Sequence, residues 1–450
     1  MIMNMLKTST VHDIDLYADL SSRGIVHQVT DVSLKSHLKN GSIALYCGFD
    51  PTSDDLHVGN LFPLITLRRF QMAGHQPILI LGGATGMIGD PSGKSSERNL
   101  QSLDQVAKNL EGIKAAASRF LDFGSAANSA KIINNADFYT HMNVLDFLRD
   151  VGKHFTVNHM MAKDSVKGRM EDRDHGISYT EFSYMLLQAF DFYYLHQHHR
   201  CTLQIGASDQ WGNITAGTEL IRRKLAHADR SDEDTGGPIP AFGLTHPLIT
   251  KSDGTKFGKS EKGTVWLNPA KTSPYQLYQF FIQSPDDKVI EWIKFLTFLP
   301  LTEIETIQES LKTEPEKKLA QRRLAQEITR FVHGNDALIR AEQATKALFG
   351  TEIKELDRTT LLELFSEAPS IQKDHQALLG SGLLLIDALV ESGLFTSKGA
   401  ARKEIVAGGV YLNNERVTDP AFAISNEHLI ANHATVLRKG KKSYAVIQFS

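Results

Sequence analysis

In the first half of the chain, short apolar runs alternate with longer amphipathic stretches, and this alternation restrains the fold more than any other feature. Such runs suit buried strands, and the stretches between them suit crossover helices. Ile43 to Tyr46, Ile78 to Leu81, Lys131 to Asn134 and Thr202 to Ile205 are the expected strands of a parallel sheet. Three of them run into loops rich in Gly, Asp, Ser or Pro, where an open parallel sheet binds its ligand at the carboxyl edge. An α/β fold with its site at those loops is the expectation.

From Ser273 onward the pattern becomes helix after helix, opened by a Ser-Pro start with Leu277, Phe280 and Phe281 at helical spacing. A second helix is expected from Glu316 to His333, stopped by Gly334, with Lys317, Lys318, Arg322 and Arg323 off its apolar stripe. Residues 351–379 are charged and less regular, contain Pro369-Ser370, and read as a linker. The tail at 380–450 reads as a helix from Ser397 to Val406, a stop at Gly408-Gly409, then a hairpin turning at Asn413-Asn414. From Lys398 to the end, positive residues exceed acids.

Charge and cysteine content narrow the class. With 49 Lys and Arg against 52 Asp and Glu, nothing favours general coating of nucleic acid, although one domain can still carry a basic surface. Cys47 and Cys201 are the only cysteines, which excludes a disulfide framework and a thiolate zinc site. No stretch approaches the roughly 20 apolar residues of a membrane helix, and Met1 to Thr10 lacks a secretory apolar core. A cytoplasmic protein away from membranes is expected.

Gly89 to Ser95 and Gly254 to Ser260 superficially resemble phosphate loops, but each is one residue short between its glycines. A better phosphate site begins where the first strand ends, at Asp50-Pro51-Thr52, and continues to His57-Val58-Gly59-Asn60. A helix starting there presents free N–H groups and a positive dipole end, Gly59 permits close approach, and His57 adds a donor. Far along the chain, Lys256-Phe257-Gly258-Lys259-Ser260 puts two ammonium groups on a glycine-flanked loop.

That pair of motifs resembles the signature of class I aminoacyl-tRNA synthetases, and nearly the whole chain resembles the bacterial-type tyrosyl-tRNA synthetases. Further matching runs are Gly82 to Lys94, Tyr179 to Asp191 and Gln204 to Asn213. The resemblance implies a Rossmann-like catalytic domain over 1–272, with a dimer-forming insertion near 138–179. It further implies an α-helical anticodon domain over 273–350 and a small α+β RNA-binding module at 380–450. By the same resemblance, Thr52, His57 and Asn60 join Lys94, Arg98, Lys256 and Lys259 around the phosphates. Asp50, Gly59, Gly206, Asp209 and Ser260 are expected at the nucleotide. Tyr46 and Asp191 are expected at a phenol, and Asp90, Tyr184, Gln188 and Gln210 at the substrate ammonium. Arg402, Lys403, Arg438 and Lys439 are expected on tRNA. The implied partners are ATP with Mg²⁺, L-tyrosine, tRNA(Tyr) and a second copy of the chain, with no permanently bound cofactor and no fixed metal.

Two positions depart from the family pattern: Asn60 stands where a second His is usual, and Ala207 where many relatives have Gly. Tyr184, Gln188 and Asp191 fall at i, i+4 and i+7 of one helix, hence on one face, among Phe182, Met185, Leu186 and Phe190. An interior carboxylate there needs a partner, which a substrate phenol supplies. A tryptophanyl-type enzyme and a synthetase-like RNA-binding scaffold are the rival readings. The cluster His196, His198, His199 reads as a solvated helix end rather than a metal site.

Overall fold

This computed structural model describes residues 15–92, 102–163, 166–167, 176–227, 239–252, 254, 257–260, 263–347, 351–365, 368–440 and 443–450. They form two compact units, one up to Thr272 together with Phe281–Ile328, the other Ser273–Phe280 together with Thr329–Ser450.

The first unit is built on a six-stranded sheet. Its strands are β1 (Gln28–Val29), β2 (Ala44–Phe49), β3 (Gln76–Leu81), β4 (Lys131–Asn134), β5 (Cys201–Ala207) and β6 (Phe242–His246), in the order β1-β6-β5-β2-β3-β4. All neighbours are parallel except β1, which lies antiparallel on β6. Because helices cover such a sheet on both faces, its central strands are apolar throughout rather than alternating, as Ile78, Leu79, Ile80 and Leu81 are in β3. The four expected strands are present, and β1 and β6 join them. The chain runs outward from β2 through β3 to β4, then returns to the other side as β5 and β6, so the order reverses between β2 and β5. Ligands bind beyond the carboxyl ends of the strands at such a reversal.

Three helices flank this point: α1 (Leu61–Met72), α2 (Tyr179–His199) and α3 (Trp211–His227). Ser178 caps α2 by accepting from the Glu181 N–H at 3.2 Å, and Arg200 ends it in the left-handed conformation. The apolar residues of α2 pack with Tyr46, Ile78, Ile80 and Phe138 in one core. That burial carries Asp191 into the interior.

In the second unit a sheet in the order β9-β8-β10-β11-β7 is formed by β7 (Ser370–Lys373), β8 (Val410–Leu412), β9 (Glu415–Val417), β10 (Ala434–Lys439) and β11 (Ser443–Phe449). Asn413 and Asn414, at φ of 49° and 64°, make the expected two-residue hairpin turn. The helix expected from Ser397 to Val406 is present as Lys398–Val406, with Ser397 as its cap, accepting the Ala400 N–H. The linker expectation over 351–379 needs correction. Residues Arg358–Leu364 are helical, and β7 pairs in parallel with β11. Ile353, Leu356, Leu361 and Phe365 share a core with Ala434, Val436 and Val446. The sequence concealed this because β7 is a short edge strand whose polar residues read as loop.

Candidate active site

The loop after β2 and the turn that opens α1 form the first wall. His57 caps a short 3-10 turn, Val58–Asn60, which leads into α1. Its Nδ1 accepts the Gly59 N–H at 3.0 Å, and the Asn60 side-chain oxygen accepts the His57 N–H at 3.0 Å. A Cβ on Gly59 would stand 2.8 Å from the His57 ring, so glycine is required for this close approach. In the neutral ring, accepting at Nδ1 leaves the hydrogen on Nε2, which makes Nε2 a donor.

The distant lysine motif comes back to this turn. Val58 donates to Val265 at 2.9 Å, Leu267 to Leu56 at 2.9 Å and Val265 to Gly258 at 3.2 Å. Gly258 has φ of 108°, and a Cβ there would lie 3.1 Å from the Gly59 nitrogen. One extended segment thus ties both motifs together.

A cavity of about 350 Å³ opens at the ends of β2 and β5. Tyr46, Asp50, His57, Gly59, Asp90, Tyr184, Gln188, Asp191, Gly206, Asp209 and Gln210 all line it, eleven residues singled out by sequence. Thr52 and Asn60 are not among the lining residues: Thr52 is exposed, and the Asn60 side chain is engaged in capping His57. Lys94, Arg98 and Lys256 lie outside the described residues. Lys259 and Ser260 are described by their backbone, a two-residue strand paired with Gly263–Thr264.

Polar groups at one end of the cavity hold one another in place. Gln210 donates to Asp90 Oδ2 at 2.6 Å, Ser92 N–H donates to Asp90 Oδ1 at 3.0 Å, and Gln188 donates to Gln210 at 3.3 Å. The Tyr184 hydroxyl stands 3.5 Å from Asp50.

The other end differs. Asp191 is 3% exposed; its Oδ2 accepts from Asn135 at 3.1 Å, while its Oδ1 has no partner. Burial is the main cause that raises its pKa to about 8, opposed by hydrogen bonding and reinforced by Asp50. The Tyr46 hydroxyl is likewise buried without a partner, and burial, then Asp191, raises its pKa well above the ordinary phenol value. Gln204 Oε1 is a third unpartnered buried oxygen on a residue of the lining. Buried polar atoms are normally satisfied, so unpartnered ones around a cavity mark where a ligand's polar groups belong.

Sequence reasoning did not assign Gln204, Asn135, Thr85, His246 or Phe257 to the site. Gln204 carried a readable signal, a lone amide within the apolar run of β5. Asn135, which donates to Thr85 at 3.0 Å as well as to Asp191, follows β4 and gave none. The histidine cluster departs from the expected solvated end. His196 is buried with Nε2 at 3.1 Å from the Ile239 carbonyl, while His198 is exposed against Tyr194.

The second unit carries the basic residues singled out for RNA. Arg402 and Lys403 are exposed on the helix Lys398–Val406. The Arg438 guanidinium lies 3.8 Å over the Tyr411 ring, and the Lys439 ammonium 4.4 Å over Phe395. Lys441 and Lys442, part of the same basic run, lie outside the described residues.

Residues 38–350 match the family described as tRNA synthetases class I (W and Y). Tyrosine–tRNA ligase 1 of Bacillus subtilis (strain 168) is 51% identical over 436 residues, 97% of this chain and 99% of that protein. The chain belongs to the tyrosine–tRNA ligase family. A second family description, the tyrosine–tRNA ligase SYY-like C-terminal domain, matches residues 361–447. The tyrosine–tRNA ligase of Geobacillus kaustophilus is 49% identical over 97% of this chain and all of its own length. Among solved structures, a C-terminally truncated mitochondrial tyrosyl-tRNA synthetase of Aspergillus nidulans aligns with a TM-score of 0.66 at 30% identity. That alignment covers 74% of this chain and 94% of the other. Family membership makes the chain an ATP-dependent aminoacyl-tRNA ligase. Among the described residues no helix is long and apolar enough to cross a membrane.

Proposed function

We propose that the chain joins L-tyrosine to tRNA(Tyr) in two steps at this cavity. First the tyrosine carboxylate attacks the α-phosphate of ATP, forming tyrosyl-adenylate as pyrophosphate leaves. A terminal ribose hydroxyl of tRNA then attacks the adenylate carbonyl, and AMP departs. The attacking carboxylate is already ionised, so the first step needs no base.

The observation that carries the choice of amino acid is the pair of unpartnered oxygens, Tyr46 Oη and Asp191 Oδ1. A phenol hydroxyl donates to Asp191 and accepts from Tyr46. Phenylalanine leaves both wanting, and an indole N–H donates but cannot accept, which disfavours tryptophan. Asp90, Tyr184 and Gln188 take the substrate ammonium, and the Gln210 contact to Asp90 sets the carboxylate in place beforehand.

His57 donates from Nε2 to the phosphates, aided by Thr52 and by Lys94, Arg98, Lys256 and Lys259, and stabilises charge growing on the leaving pyrophosphate. Asp50, Gly59, Gly206, Asp209 and Ser260 bind the nucleotide. Asn60 contributes by fixing His57 rather than by touching substrate. Mg²⁺ arrives with ATP. Arg402, Lys403, Arg438 and Lys439 contact tRNA phosphates. The insertion near 138–179 pairs two copies: Val144 and Leu145 there are 69% and 73% exposed, an apolar surface that a second copy would cover. The chain works in the cytoplasm. Tyrosine-dependent exchange of pyrophosphate into ATP tests the reading, and equal exchange with phenylalanine or tryptophan would overturn it.

A further inference from the structure

The helix Asp286–Leu296, expected from sequence to lie within an RNA-binding domain, belongs to the catalytic unit. Trp292 and Phe295 are three residues apart and so share a face. Trp292 meets Phe257 edge to face, with ring centroids 4.7 Å apart at 65°. Phe295 stacks on Phe62, 4.7 Å apart at 10°. Phe257 lies two residues before Lys259, Phe62 lies two residues after Asn60, and both line the cavity. One helix face therefore grips both motifs.

That helix is itself fixed to α1. Arg69 donates to the carbonyls of Lys294, at 3.4 Å, and of Thr297, and its guanidinium lies 5.0 Å from the Phe298 ring centre. A cation at the carboxyl end of a helix meets its negative dipole end. With α1 and the helix Asp286–Leu296 joined in this way, the Phe257 ring is held between Trp292 and Phe281, the latter 6.1 Å away.

We propose that Trp292 and Phe295 are positioning residues for adenylate formation, bracing the Phe257–Gly258 turn against the His57–Gly59 turn. This deepens the reading of the site as an adenylate-forming one. Groups on the two turns must meet the same pyrophosphate, and a displacement of about 1 Å costs an in-line reaction roughly 10²-fold. The phenol end, built from β2 and α2, is made of other elements.

The test is single-turnover adenylate formation by the full chain, with tyrosine binding measured separately without ATP. Trp292→Leu should lower the rate by roughly 10²-fold while tyrosine affinity stays within about twofold. Trp292→Phe, which keeps an aromatic ring, should recover most of the rate. If Trp292→Leu does not fold, Phe295→Leu carries the same expectation and the same refutation. A folded leucine variant with parental rate overturns the brace, as does equal loss of tyrosine affinity and rate. Exchange by the parent keeps the two claims apart. A parent without tyrosine-dependent exchange defeats the function, whereas an active parent with an unaffected variant defeats the brace alone.

Discussion

Asp191→Asn should make the ligand-free protein more stable at neutral pH while it damages the use of tyrosine. In the folded chain the carboxyl is held at a pKa of about 8, chiefly by burial, against an ordinary value of 3.8. A raised pKa means that the folded state keeps a proton the unfolded state has lost. The contribution of Asp191 to stability is therefore complete below pH 3.8 and declines as pH rises toward 8. Each pH unit in that window costs about 1.4 kcal/mol, so by pH 7 the penalty is at most about 4 kcal/mol. Asparagine keeps the shape, and its oxygen can still accept from Asn135, but it never ionises. Denaturant unfolding of both proteins without ligand, from pH 4.5 to 8.5, should show a gap favouring the variant that widens with pH. The variant's amide N–H₂ then takes the place of Oδ1, where the phenol hydroxyl needs an acceptor. Loss of that acceptor, with an amide donor left facing the phenol, should reduce kcat/KM for tyrosine by roughly tenfold. A stability gap that does not change with pH would refute the buried, proton-holding carboxyl.

Tyr46→Phe removes a hydroxyl but leaves the ring packed on Phe192, so the preference for tyrosine over phenylalanine should narrow by about tenfold, read as a ratio of kcat/KM values. His57→Ala should slow pre-steady-state adenylate formation by roughly 10²-fold with little change in tyrosine binding, and an unchanged rate would remove His57 from the chemistry. Charge reversal at Arg438 and Lys439 should weaken tRNA binding and flatten its dependence on salt, with adenylate formation unaffected. Filter binding across a salt series checks the slope.

The candidate site was legible where chemistry leaves a local pattern. The His57-x-Gly59 turn and the polar face of α2 are written within a few residues each, and eleven assigned residues line one cavity. What was hidden depends on contacts between distant segments. Nothing at Asn135 announces that its amide reaches Asp191, 56 residues away. Asn60 reads locally as a donor near phosphate, yet its oxygen is turned back onto the His57 backbone. In His196, Nε2 meets a carbonyl from 43 residues later, which no inspection of the helix end could supply.

Unit boundaries were hidden for a related reason. Helical periodicity states that Asp286–Leu296 has an apolar face, with Val289, Trp292, Ile293 and Leu296 buried, but not which body covers that face. Runs of helices therefore look like one domain even where the chain has divided them. The same argument applies in reverse at 351–379. Charge and a proline suggest separation, yet Leu361 and Phe365 are buried with Val436 and Val446 from the end of the chain. A cut after Leu379 would consequently leave β7 without its neighbour β11 and expose that core. Loss of tRNA charging in such a truncated chain would mix lost phosphate contacts with damaged folding. Charge reversal at Arg438 and Lys439 within the intact sheet separates the two causes.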